Sequence, residues 1–166
     1  MDLVKSILIL DDEENIRKYL GQSLAKDGFE IYTAQYGKEG LNLLVQKHID
    51  VVLLDLNLPD MSGLEILREI RKFDVQSVVI IITAYGDISS AVEAIKLGAY
   101  DYLTKPFSVK ELNARVKILI KIRKKLIDKF RKNITVNPSE ISTTSVDEIF
   151  LKKVLQVIEN NIMKSD

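Results

Sequence analysis

The 166 residues contain no cysteine. Disulfides, thiolate metal sites and cysteine nucleophiles are therefore excluded. Glycine and proline are sparse, at 7 and 3, which rules out collagenous and low-complexity classes. No apolar run approaches the roughly 20 residues that cross a bilayer; Ser6 to Leu10 and Val78 to Ile82 are among the longest. The first follows only Met-Asp-Leu-Val-Lys and precedes acidic residues, so it does not read as a signal peptide. A cytoplasmic protein without membrane contact is the expectation. What remains is 46% hydrophobic and 29% charged, an ordinary globular composition whose length supports one core and a short appendage.

Net charge is zero, but the balance conceals a pattern. Residues 1–109 hold 11 Lys/Arg against 17 Asp/Glu, residues 110–132 hold 10 against 2, and residues 133–166 hold 3 against 5. The body is acidic and one segment strongly basic. An acidic body argues against nucleic-acid backbone binding by the body itself.

Five segments read as strands: 6–10, 29–33, 51–54, 78–82 and 100–103. Three are apolar throughout, as strands covered on both faces of a parallel sheet should be. Between them run helical spacings. Ile16, Tyr19, Leu20 and Leu24 mark the first helix, and Leu41, Leu44 and Val45 the second. Leu64, Leu67 and Ile70 mark the third, and Ile88, Val92, Ile95 and Leu97 the fourth. Gly28 and Gly98 stand where left-handed C-caps are expected. Five βα units in series predict a doubly wound α/β sheet.

The fifth helix is predicted to open at a capping box, Ser108 and Glu111, and to run to about Lys132. Its apolar positions are Leu112, Val116, Leu119, Ile122 or Arg123, Leu126 and Phe130. Such a helix overshoots a small sheet, with 122–132 as its extension past the α/β domain, and its basic outer half, 121–132, is expected to pair with a partner or link to another domain. Residues 133–145 read as a linker. A second capping box, Ser145 and Glu148, opens an amphipathic helix over 146–166.

In an open parallel sheet, ligands bind at the carboxyl ends of the strands. Asp11 and Asp12 follow the first strand, Asp55 the third, Thr83 the fourth and Lys105 the fifth. Three carboxylates gathered there repel one another unless a cation intervenes. An all-oxygen set with room for water suits Mg²⁺. Counting three aspartates, one lysine and one divalent ion, the edge is expected to be neutral and poised for a phosphoryl group. Singly, each residue has an ordinary explanation: Asp12 as a helix N-cap, Lys105 as a turn residue. Asp55 at a buried strand end is harder to explain, because an unpaired carboxylate is costly there. His48, the one histidine, falls away from this edge and reads as a surface residue.

The segments Ile9-Leu10-Asp11-Asp12-Glu13, Leu53-Leu54-Asp55-Leu56-Asn57-Leu58-Pro59, Ile82-Thr83-Ala84-Tyr85 and Tyr102-Leu103-Thr104-Lys105-Pro106-Phe107 together resemble the receiver domain of two-component response regulators. The resemblance covers residues 4 to about 121 and assigns 1–121 to the receiver domain. It implies a flavodoxin-like sheet in the order 2-1-3-4-5 and a sensor histidine kinase as phosphodonor. It further implies Asp55 as phosphoacceptor, with Mg²⁺ held by Asp12, Asp55 and the Asn57 carbonyl, and by Asp11 mostly through water. Thr83, its neighbour Ala84 and Lys105 would serve the phosphoryl group, Tyr102 would be the switch aromatic, and the Lys105–Pro106 peptide would be cis. The chain would catalyse only its own phosphotransfer and slow dephosphorylation. Separately from the resemblance, the apolar stripe of the long basic helix, 108–132, is expected to join two copies in a homodimer.

The tail, Ile134 to Ile141 and Ser145 to Lys153, resembles the connector and opening helix of AraC-type DNA-binding domains. That implies a transcriptional regulator which reaches DNA through an output domain absent from this chain. Two rival readings are weaker. A phosphatase of the haloacid dehalogenase type wants Asp-x-Asp after its first strand, whereas here Asp55 follows the third and is succeeded by Asn57. A dinucleotide-binding fold wants a glycine-rich loop where Asp11 to Glu14 stand.

Overall fold

The computed structural model describes residues 5–74, 76–84 and 86–134, with side chains as far as Phe130. Ten elements alternate: β1 (Ser6–Leu10), α1 (Glu14–Lys26), β2 (Glu30–Ala34), α2 (Gly37–Gln46), β3 (Val51–Leu54), α3 (Gly63–Phe73), β4 (Val78–Thr83), α4 (Ile88–Lys96), β5 (Asp101–Thr104) and α5 (Val109–Ile134). The strands form one parallel sheet in the order β2-β1-β3-β4-β5, as expected. Strands two and five start one residue later than the apolar pattern predicts, and β4 reaches Thr83.

β1, β3 and β4 are buried along their whole length. Their side chains alternate between two cores, as the two-residue period of a strand requires. Leu8, Leu10, Val52, Leu54, Val79 and Ile81 pack under α2, α3 and α4 with Leu44, Ile66, Leu67, Ile70 and Ala94. Ile7, Ile9, Val51, Leu53, Ile80 and Ile82 pack under α1 and α5 with Leu20, Leu24, Leu112 and Val116. Each such side chain contributes roughly 1.5–3 kcal/mol by leaving water. The layers hold the carboxyl ends of β1 and β3 rigidly side by side.

Several helix-face expectations are corrected. Tyr19 and Val45 lie outside the core, 62% and 74% exposed. On α4 the apolar stripe points outward: Ile88, Val92 and Ile95 are exposed, and the helix packs through Ala94. On α5, Leu112 and Val116 are buried, but Ile122 and Leu126 are exposed. There Arg123 turns to the body instead, reaching the Asp50 carbonyl.

Gly28 and Gly98 take positive φ, 88° and 102°, as left-handed caps. Ser108 Oγ accepts from the Glu111 N–H at 3.0 Å, while the Glu111 carboxylate takes Arg115. A full capping box stands at α3 instead, where Ser62 and Glu65 satisfy each other's backbone N–H groups. Asp60, in the preceding loop, caps α2 by accepting from the Gly37 and Lys38 N–H groups at 2.7 and 3.0 Å.

Two compact units are distinguished, residues 1–125 and 126–166. Of the second, the described part is helical, 126–134. Apart from residues 133 and 134, the expected linker, together with the helix of 146–166 and its capping box, lies outside the described residues. Among the described residues, no helix is long and apolar enough to cross a membrane.

Candidate functional site

The pairing of β1 with its neighbours carries one residue past the strand ends. The Asp11 N–H donates to the Ala34 carbonyl at 3.2 Å, and the Asp55 N–H to the Leu10 carbonyl at 2.8 Å. Both carboxylates are thereby fixed at the same sheet edge, and both are buried. Asp11 Oδ1 accepts from the Glu13 N–H at 2.9 Å, and Asp55 Oδ1 from the Asn57 N–H at 3.1 Å. One oxygen of each is left facing the pocket.

Lys105 fills the space between them. Its backbone N–H is anchored on the Thr83 carbonyl at 2.8 Å, and its peptide bond to Pro106 is cis. The ammonium donates to Asp11 Oδ2 at 2.7 Å, to Asp55 Oδ2 at 3.0 Å and to Glu13 Oε1 at 3.1 Å. Burial disfavours its charge, but the Asp11 and Asp55 carboxylates more than compensate and hold its pKa well above the ordinary lysine value. Burial pushes the Asp11 carboxyl up, and the bonds from Lys105 and the Glu13 N–H offset this only in part. Asp55 is therefore not unpaired, which removes the difficulty its burial posed.

The carboxylates of Asp11, Asp12, Glu13 and Asp55 each offer an oxygen within 4.8 Å of the others. Asp12 and Glu13 are exposed. Glu13, not Asp12, holds the N-cap position of α1, and its side chain makes no capping hydrogen bond there. All donors are oxygen and the cluster opens to solvent, a set that fits Mg²⁺ and leaves positions for water. The charge count needs correction, because the neutral sum omitted Glu13. Four carboxylates and one ammonium leave −3, and a divalent ion brings the pocket to −1.

Thr83 is buried at the end of β4, opposite Thr104 in register, and Ala84 beside it is exposed. Tyr102, half-buried, packs against the core under α2, α3 and α4. Burial raises its phenol pKa, and so do the charges of Asp87 and Asp55, so the hydroxyl lies within electrostatic reach of the site. Asn57 is exposed beside Asp55. His48 is exposed and lies 3.6 Å from Asp50, on the far edge of the sheet.

Two residues were missed from the sequence. Glu13 reads as an ordinary acid in a first helical turn, and only the fold brings Lys105 to it. Gly63 lies against the turn after β3, donating its N–H to Leu56 O at 2.8 Å. A Cβ there would overlap the Asp55 carbonyl oxygen and come within 2.6 Å of Leu56 Cα.

Residues 7–117 match the family described as the response regulator receiver domain. The regulatory protein AtoC of Escherichia coli is 41% identical over 123 residues, covering 74% of this chain and 27% of AtoC. The response regulator ArlR of Staphylococcus aureus is 34% identical over 169 residues, covering 96% of this chain and 76% of ArlR. The beryllofluoride-activated NtrC4 receiver domain, solved in solution as a dimer, superposes with a TM-score of 0.70 at 35% identity, over 72% of this chain and 99% of that one. The chain spans from about a quarter to a half of the length of the first curated relatives it matches.

Proposed function

The chain belongs to the response regulator receiver family of two-component signal transduction, and on that footing we propose that Asp55 accepts a phosphoryl group from the phosphohistidine of a sensor histidine kinase. The observation that carries this reading is the Lys105 ammonium bonded to both the Asp11 and Asp55 carboxylates at one sheet edge. An Asp55 carboxylate oxygen attacks phosphorus in line. The phosphorus–nitrogen bond breaks, its electron pair stays with the imidazole, and an acyl phosphate forms on Asp55.

Asp11, Asp12, Asp55 and the Asn57 carbonyl would hold Mg²⁺, which neutralises charge on the phosphoryl oxygens. Lys105 and the Thr83 hydroxyl take phosphoryl oxygens, Ala84 follows Thr83, and Tyr102 turns into the space Thr83 leaves. A local charge event thereby alters the face made by α4, β5 and α5. Turnover is limited to the chain's own phosphotransfer and slow dephosphorylation. We place this cycle in the cytoplasm, in a homodimer, within a regulator that reaches DNA through an output domain of the AraC type.

Phosphoramidate, a small donor with the same phosphorus–nitrogen bond, tests the reading. With Mg²⁺ it should add one phosphoryl group to the wild-type chain and none to Asp55→Asn, whose amide is not a nucleophile. Full labelling of the variant in an intact-mass measurement would contradict it.

A further inference from the structure

An ammonium group has three donors, and in this structure all three donors of Lys105 are taken, by Asp11, Asp55 and Glu13. A phosphoryl group arriving on Asp55 brings oxygens that need the same donors. The donor that Asp55 Oδ2 holds passes to one phosphoryl oxygen, and a second phosphoryl oxygen must draw on the donor that Asp11 or Glu13 now takes. Asp11 is buried to 0% exposure, and a carboxylate with no water to turn to is expensive to release. The Asp55 oxygen becomes part of the acyl phosphate. The Glu13 side chain is 57% exposed and can exchange its ion pair for water. It also has no competing duty as a cap on α1.

We propose that Glu13 determines how readily this pocket accepts a phosphoryl group, by occupying on Lys105 the place a phosphoryl oxygen must take, and that phosphorylation displaces it into solvent. The inference rests on the assignment of Asp55 and Lys105 above. It also gives Glu13 a second, parallel effect. Its charge keeps the pocket at −1 with a divalent ion bound, so a phosphoryl group meets both an occupied donor and an excess of negative charge. The same charge attracts the cation. Removing it therefore favours the phosphoryl group and does not favour the metal.

The test uses the full chain and two ligands, Mg²⁺ alone and beryllofluoride at saturating Mg²⁺, with binding followed by amide chemical shifts. Beryllofluoride is a non-covalent phosphoryl mimic, so no donor chemistry intervenes. In Glu13→Ala, half-saturation by beryllofluoride should fall roughly fivefold, the scale of one partly exposed ion pair. Mg²⁺ alone should bind equally or more weakly. Glu13→Gln keeps the shape and should shift both in the same directions, which guards against a folding defect in the alanine variant. Unchanged beryllofluoride affinity in both variants would overturn the proposal and leave the assignment of Asp55 standing. Weakened binding of both ligands would overturn it too, making Glu13 a metal ligand instead. A wild-type chain that binds no beryllofluoride would overturn the proposal together with its premise.

Discussion

A methyl group on residue 63 would overlap the Asp55 carbonyl oxygen and approach Leu56 Cα to 2.6 Å. These are backbone atoms of the turn after β3 that carries Asp55, so neither can swing aside as a side-chain tip could. Gly63→Ala should therefore cost about 1–3 kcal/mol of stability, as overpacking does. It should also displace the Asp55 carboxylate, and a misplacement near 1 Å lowers a rate by roughly a hundredfold. Urea unfolding together with the phosphoramidate labelling rate checks both. Wild-type labelling in the variant would show that the turn adjusts without moving Asp55. At this scale the sequence was legible where a residue's type and strand-end position sufficed, as for Asp11, Asp55, Thr83 and Lys105. It was not legible where a residue matters through what the fold brings against it. Gly63 needs the turn folded back on β3, and Glu13 needs Lys105 from 92 residues away.

Among the elements, α4 departs most from what its sequence suggests. Its period was legible, with Ile88, Val92 and Ile95 on one stripe, but period alone does not say which face meets the sheet. The helix approaches through Ala94, leaving the larger side chains in water. Val92→Lys should thus change stability by no more than about 0.5 kcal/mol, the range of surface substitutions. Leu67→Ala on α3, whose side chain is fully buried, should cost about 2–5 kcal/mol. Chemical denaturation of the two variants side by side checks this ordering. A comparable loss in both would mean that Val92 is a core residue. The α5 stripe divides in the same way: Leu112 and Val116 meet the sheet, while Ile122 stays exposed and Arg123 contacts the Asp50 carbonyl.

For the molecule as a whole, the parallel sheet and its two helical layers followed from the alternation of apolar runs and helical periods with right-handed connections, whereas the strand order came from the resemblance to the receiver family. The homodimer proposed above rests on an acidic body, a basic segment at 110–132 and the exposed apolar side chains of α4. Sedimentation should show a monomer–dimer equilibrium that phosphorylation shifts toward dimer and Val92→Lys shifts toward monomer. A strict monomer at high concentration, phosphorylated or not, would contradict the homodimer. The central claim remains chemical: one carboxylate, held beside Lys105, takes the phosphoryl group. Treating the protein with phosphoramidate, reducing any acyl phosphate with borohydride and sequencing the peptides by mass spectrometry locates that group directly. The account predicts conversion at Asp55 alone, dependent on Mg²⁺ and lost with a chelator; conversion at another carboxylate, or at Asp55 regardless of metal, would contradict it.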